Sequence, residues 1–201
     1  HVLYKIMKRS LDLIFSVIGF VFLLPLFVLI AIAIKAGSAG PVFYMQDRCG
    51  QDGSLFKMIK FRTMVTNAEK LHQELIAKKD TDGPMFKMLN DPRVTKIGGF
   101  LRKTSLDEIP QLINVIKGEM SLVGPRPLIM DEMKFSPGWR NTRLKVKPGI
   151  TGLWQIQGRS EASFHDWIRY DMYYVKNQSF LLDITILFKT IGVVLKKAGA
   201  Y

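Results

Sequence analysis

LIFSVIGFVFLLPLFVLIAIAI, running from Leu13 to Ile34, contains no charged residue. At about 1.5 Å per residue these roughly 22 residues form about 33 Å of helix, enough to cross a bilayer's hydrocarbon core. A core helix of a soluble protein rarely lacks a polar face altogether, so the stretch reads as a membrane helix. A secretory signal would account for Lys5, Lys8 and Arg9 ahead of it and the small residues Ala36 to Gly40 behind it. Its apolar region would be unusually long, however, against the usual span of about 7–15 residues.

The flanking charges bear on topology. Lys5, Lys8 and Arg9 precede the segment, and Lys35, Arg48, Lys57, Lys60 and Arg62 follow it. The positive-inside rule places both flanks in the cytoplasm, which a re-entrant helix satisfies and a simple span does not. Pro25, near the middle, removes one backbone hydrogen bond and clashes with the carbonyl four residues back. Proline is also tolerated as a kink in spanning helices, and these residues alone leave both topologies open.

The 201 residues suffice for one catalytic domain with appendages. A net charge of +12 fits nucleic acid, an anionic membrane surface or a phosphate-rich substrate. No DNA- or RNA-binding motif accompanies the charge, which argues against nucleic acid. The single cysteine, Cys49, excludes an internal disulfide. Three scattered histidines beside one cysteine argue against a zinc site.

Beyond Gly40, PVFYMQDRCGQDGSLFKMIKFRTM predicts two short strands around a Gly/Asp turn, a hairpin on which Lys60 and Arg62 share a face. Asn67 to Lys79 predicts a short polar helix, and the run from Lys79 to Gly99 reads as turn-rich loop. Ile109, Leu112, Ile113 and Ile116 predict an amphipathic helix behind the pair Asp107–Glu108. Rigid turns follow at Gly124–Pro127 and Pro148–Gly152. Trp167, Tyr170, Tyr173 and Tyr174, then FLLDITILFKTIGVVLKK, suit either interfacial amphipathic helices or ordinary core packing.

LRKTSLDEIPQL, Leu101 to Leu112, carries the densest chemistry. Ser105 and Glu108 match a capping box, a purely structural role. Pro110 sits too deep for that register, and a later helix start with Asp107 near the cap accommodates it better. A helix start also offers free N–H groups to phosphate and keeps a nearby carboxylate ionised, and an ionised aspartate is a competent nucleophile toward phosphorus. Arg102 and Lys103 stand just before the pair, Arg126 lies between two prolines, and Arg159 follows Gly158 in another turn. Each arginine alone reads as a solvated surface charge; as a set placed in turns they read as a phosphate clamp.

KFRTM (Lys60–Met64), TSLDEIPQLINVIKGEMSLVGPRP (Thr104–Pro127), KPGITGLWQIQGR (Lys147–Arg159) and YDMYYVKNQSFLLDITIL (Tyr170–Leu187) resemble the bacterial sugar transferase family, the monotopic phosphoglycosyl transferases. The KRSLDL start and the LKKAGAY end match as well, so the resemblance covers nearly the whole chain. It implies an α+β fold, mainly helical with a small β-hairpin, interfacial amphipathic helices and a re-entrant membrane helix broken near Pro25. Residues 1–36 would form that helix and 37–201 a membrane-associated catalytic domain on the cytoplasmic face of the inner membrane.

The resemblance implies a mechanism too. Asp107 and Glu108 are the expected catalytic dyad. Asp107 would attack a UDP-sugar, expel UMP and carry a phosphosugar until polyprenyl phosphate takes it, beginning a surface glycan such as an exopolysaccharide or O-antigen. Mg²⁺ is the expected cofactor, associated with Glu108, while Lys60, Arg62, Arg102, Arg126 and Arg159 are the expected phosphate-binding residues. UDP-sugar, polyprenyl phosphate and membrane lipids are the expected partners, with room for a homo-oligomer. Lys147 stands where small members often have arginine, so a bidentate phosphate contact is not expected there. The long stretch between the FRTM motif and the dyad, and a start at His1 in place of Met, match the catalytic domain of a larger member. The rival reading is a basic, non-catalytic membrane scaffold that binds anionic lipids.

Overall fold

The computed structural model describes residues 2–75, 88, 91–130, 132–134, 137–157 and 163–195. About half of the turn-rich run after Lys79 lies outside them, as does Arg159; from Lys96 the run is helical, not loop. Helix α1 spans Val2–Gly37. Its inward residues Tyr4, Lys8, Asp12, Ser16, Gly19, Leu23, Phe27, Ile30 and Ile34 recur every three or four positions, forming one stripe along the entire length. Its other flank, with Phe15, Ile18, Phe22, Leu29 and Ile32, is exposed and apolar. A helix long and apolar enough to cross a membrane, with its outer flank bare, marks the chain as membrane-associated.

The backbone stays helical through Pro25, from Val2 to Gly37. Proline removes a single N–H and strains one turn, and ten or more residues of helix on either side hold the backbone in register. Both ends of α1 meet the same domain. At its start, Lys8 pairs with Asp183 at 2.9 Å and donates to the Val123 carbonyl at 2.9 Å. Asp12 accepts from the Leu122 N–H at 2.9 Å and the Ser121 hydroxyl at 3.0 Å. Arg9 donates to the Val115 and Ile116 carbonyls at 2.7 and 2.9 Å, near the end of a helix where a cation is favoured. The basic KRSLD start is thus a set of anchors. At its far end Phe27, Ile30 and Ile34 pack on Phe61 and Leu101, each burial contributing about 1.5–3 kcal/mol.

The expected hairpin forms. Strands β1 (Phe43–Cys49) and β2 (Leu55–Phe61) pair antiparallel from Phe43 opposite Phe61 to Cys49 opposite Leu55. Asp52 and Gly53 adopt positive φ in the turn. Helices α2 (Ala68–Leu75) and α3 (Lys96–Thr104) follow, the latter capped by the Thr95 hydroxyl on the Gly98 N–H. Any side chain at Gly98 would collide with the Thr63 carbonyl, so glycine lets α3 lie against the end of β2.

Helix α4 (Gln111–Lys117) docks on β2 through Asn114, which is fully buried. Its carboxamide accepts from the Ile59 N–H at 3.0 Å and donates to the Lys57 carbonyl at 2.8 Å. It thereby takes the place of a third strand at β2's open edge.

The two turns expected at Gly124 and Pro148 are joined by a short parallel ladder. Strands β3 (Ser121–Val123) and β4 (Gly149–Thr151) pair Ser121 with Gly149 and Val123 with Thr151. A side chain at Gly149 would strike the Gly124 backbone, so the two loops touch main chain to main chain. Helices α5 (Pro137–Arg143), α6 (Leu153–Gln157), α7 (Phe164–Asn177) and α8 (Phe180–Leu195) complete the domain. The aromatic cluster divides: Trp167 and Tyr174 are core residues, whereas Tyr173 is exposed. Helix α8 turns Asp183 and Ile186 inward and Leu181, Phe188 and Ile191 outward, the pattern of an interfacial helix.

Asn114→Leu would leave the Ile59 N–H and the Lys57 carbonyl without partners, at about 1–3 kcal/mol each. Thermal melting in detergent is expected to show a Tm several degrees lower; an unchanged Tm would contradict the edge-pairing role.

Candidate active site

Helix α3 ends at Thr104, and Ser105 turns the chain through a left-handed conformation with φ 57°. A 3-10 turn, Leu106–Glu108, then carries the acidic pair, and Pro110 stands as the N-cap of α4. The capping box does not form, because the Ser105 hydroxyl makes no cap bond. A proline at the N-cap gives up an N–H that the helix would leave unpaired in any case, which is why α4 begins at Gln111. The pair therefore sits in a tight corner between two helices.

Asp107 is buried. Burial is the main reason its pKa rises to about 6; the Lys60 ammonium opposes the shift, Glu108 adds to it, and Arg102 opposes it. Lys60, on β2, donates to Glu108 Oε1 at 2.6 Å. Arg102, in the last turn of α3, donates through Nε to the Thr63 hydroxyl at 3.0 Å. The corner thus gathers two carboxylates and two cations from three elements.

The remaining expected residues divide. Arg62 is not at the corner: its guanidinium donates to the Ser38 carbonyl at 2.8 Å, the Ser38 hydroxyl at 3.0 Å and the Ala39 carbonyl. It holds the backbone that leaves α1, just beyond its last residue Gly37. The alternation that places Lys60 and Arg62 on one face does not decide where two long side chains end. Arg126 is half-buried, its guanidinium 5.9 Å over the Trp154 ring. Arg159 lies outside the described residues.

Two further residues bear on the site. Thr63 fixes Arg102 and also accepts from the Thr95 N–H at 3.0 Å. Arg48 is buried, and burial lowers its pKa to about 10, with the neighbouring Arg126 adding to the shift and Glu132, Tyr44 and Glu108 opposing it. In the sequence Arg48 is one flanking charge among several, since nothing local distinguishes it. Among the described residues no three His, Cys, Asp or Glu side chains converge. A magnesium ion at the dyad would complete its shell with substrate phosphate and water, an arrangement the adjacent carboxylates of Asp107 and Glu108 suit.

A family model for bacterial sugar transferases matches residues 3–197. The chain belongs to the bacterial sugar transferase family. A sugar transferase relative from Erwinia amylovora, named UDP-galactose-lipid carrier transferase, is 46% identical over 98% of this chain and 42% of its own length. The undecaprenyl-phosphate galactose phosphotransferase of Salmonella typhimurium is 42% identical over the same shares of each. The exopolysaccharide production protein ExoY of Sinorhizobium fredii is 42% identical over 98% of this chain and 88% of its own length. This chain therefore spans less than half of the first two sugar transferases and most of the third.

The raised pKa of Asp107 has a consequence for stability. Between the ordinary carboxylate value near 4 and about 6 the native state holds a proton that the unfolded chain has released, so stability falls as pH rises through that window. Asp107→Asn removes the buried charge. It is expected to raise stability by about 1–3 kcal/mol at pH 7.5 and to lose that advantage by about pH 4. Melting curves at the two pH values test this, and an equal or negative effect at pH 7.5 would contradict it.

Proposed function

We propose that the chain transfers a sugar 1-phosphate from a UDP-sugar to undecaprenyl phosphate or a similar polyprenyl phosphate, releasing UMP, at the cytoplasmic face of a bacterial membrane. The observation that carries this reading is a buried carboxylate, Asp107, kept ionisable by Lys60 and Arg102 beside a second carboxylate. The printed names of the Erwinia and Salmonella relatives support the substrate classes. A relative from Aeromonas hydrophila, 37% identical, is named for N-acetylgalactosamine phosphate transfer, so the sugar itself is a matter for a panel that begins with UDP-galactose.

The chemistry proceeds in two displacements at one phosphorus. An Asp107 carboxylate oxygen attacks the sugar-bearing phosphorus, an O–P bond forms, the bond to the bridging oxygen breaks, and UMP departs with that oxygen. A phosphate oxygen of the lipid then attacks the same phosphorus and expels Asp107, giving a polyprenyl-diphosphate sugar. Division into two steps lets UMP leave before a second anion approaches. Burial strips water from the Asp107 carboxylate and so raises its nucleophilicity, while Lys60 and Arg102 preserve its ionised form near neutral pH. Lys60 also orients Glu108 through their 2.6 Å contact. Glu108 would hold Mg²⁺ together with substrate phosphate oxygens, and when bound the ion supplies charge neutralisation at the diphosphate. Arg126 would contribute a guanidinium clamp on the phosphates.

The topology follows from the same reading. Helix α1 is held at both ends by one domain, so a crossing would require the domain to lie on both sides of the membrane. We infer that residues 8 and 35 lie on the cytoplasmic side, with the apolar flank of α1 facing lipid and Pro25 marking where the helix can bend.

Three measurements test this. A folded Asp107→Asn variant is expected to lose UMP release by at least about 10³-fold, since a nucleophile has no substitute; near-wild-type turnover would refute its role. Excess chelator is expected to abolish activity and added Mg²⁺ to restore it; full activity in chelator would refute the metal. Impermeant thiol labelling of cysteines placed at Ser10 and Ser38, in a Cys49-free background in intact cells, is expected to fail from outside. Reaction at either position would exclude the re-entrant topology. A protein that binds anionic lipid vesicles but never releases UMP would be the scaffold instead.

A further inference from the structure

The turn that carries Arg126 is unusual in its hydrogen bonding. Pro125 and Pro127 have no N–H, so the segment can offer few donors of its own and must be fixed through its carbonyls. Four consecutive carbonyls are each taken by a donor from elsewhere in the chain. Gly149 N–H donates to Pro125 at 2.8 Å and Cys49 N–H to Leu128 at 2.9 Å. Between them a guanidinium N–H of Arg143 donates to the Arg126 carbonyl, and Arg48 Nη1 donates to the Pro127 carbonyl at 3.0 Å.

The two buried arginines differ in their attachments. Arg143 pairs with Asp171 at 3.2 Å and lies 4.5 and 4.8 Å from the ring centres of Trp139 and Trp167. It belongs to the aromatic core. Arg48 makes no ion pair among the described residues; its other terminal nitrogen donates to Gln46 Oε1 at 2.6 Å. The charges that act on it include Arg126, Glu132 and, more weakly, Glu108. Burying a guanidinium at 6% exposure carries a heavy desolvation cost. Pro127 is itself buried, so its carbonyl is cut off from water and depends on the Arg48 guanidinium for a donor. Arg48 extends from β1, the strand paired with the β2 strand that carries Lys60, so one side chain ties the hairpin of the dyad's lysine to the turn of Arg126.

We propose that Arg48 is a positioning residue that acts through the Pro127 carbonyl to aim the Arg126 guanidinium at the diphosphate of the nucleotide sugar. This rests on the reading of Arg126 as a phosphate clamp. A displacement of the clamp by an ångström is enough to slow such a reaction by about one to two orders of magnitude.

A double-mutant cycle on the full chain in detergent tests it, with kcat and KM measured for the UDP-sugar that the panel identifies and Tm recorded for each variant. Arg48→Gln is expected to lower kcat/KM about tenfold or more, and Arg48→Lys, which retains a donor, to lose less. In an Arg126→Ala background Arg48→Gln is expected to add less than about twofold, because the residue it positions is gone. If Arg48→Gln costs the same factor in both backgrounds while Arg126→Ala alone is impaired, Arg48 acts independently and the inference is overturned with the clamp intact. If Arg126→Ala alone keeps wild-type kcat/KM, the clamp reading falls and takes the inference with it. Should Arg48→Gln melt below the assay temperature, Arg48→Lys completes the same cycle with the same criteria.

Discussion

Asp107 is a carboxylate removed from water and held against that cost by two cations. Burial and Glu108 raise its pKa, Lys60 and Arg102 oppose them, and the balance at about 6 leaves it ionised at neutral pH yet poorly solvated. Much of the fold can be understood as support for this balance. The hairpin brings Lys60 to the corner, α3 brings Arg102, and Thr63 at the end of β2 fixes Arg102 in place. Asn114 locks α4 to β2 behind the dyad. The left-handed Ser105 makes the corner sharp enough for the 3-10 turn to fit between two helices.

The membrane helix is tied to the same frame. Lys8, Arg9 and Asp12 do not merely mark a basic flank; they bind Asp183, the end of α4 and the start of β3. An apolar flank for lipid and an inward stripe for the domain coexist on one helix, so membrane attachment and the dyad belong to one packed frame. In the proposed reaction a water-soluble donor and a lipid acceptor meet at the membrane boundary, and this frame would set the height of the dyad relative to it. The excess of basic residues serves the same meeting, since both proposed substrates are anionic.

What was legible in the sequence was local. The apolar run, the hairpin with its Gly/Asp turn and the dyad motif each declare themselves within about 25 residues, through hydropathy, periodicity or resemblance. What was not legible depends on contacts between distant segments. The parallel pairing of Ser121–Val123 with Gly149–Thr151 involves three residues on each strand, too few for any alternation to register. Arg48 and Arg62 look alike as flanking charges, yet one grips the Pro127 carbonyl and the other the backbone just beyond α1. The later helix start that Pro110 demands was, by contrast, legible locally, and α4 begins at Gln111.

The central claim is that the phosphosugar rests on Asp107 between donor and acceptor. Incubation of the purified protein with Mg²⁺ and its UDP-sugar, without any polyprenyl phosphate, followed by intact-mass and peptide mass spectrometry, tests it directly. The expected result is stoichiometric UMP release and a sugar-phosphate adduct on the peptide containing Asp107, discharged when polyprenyl phosphate is added. UMP release that begins only once the lipid is present, with no adduct at any stage, would contradict the account and point to direct transfer from nucleotide to lipid.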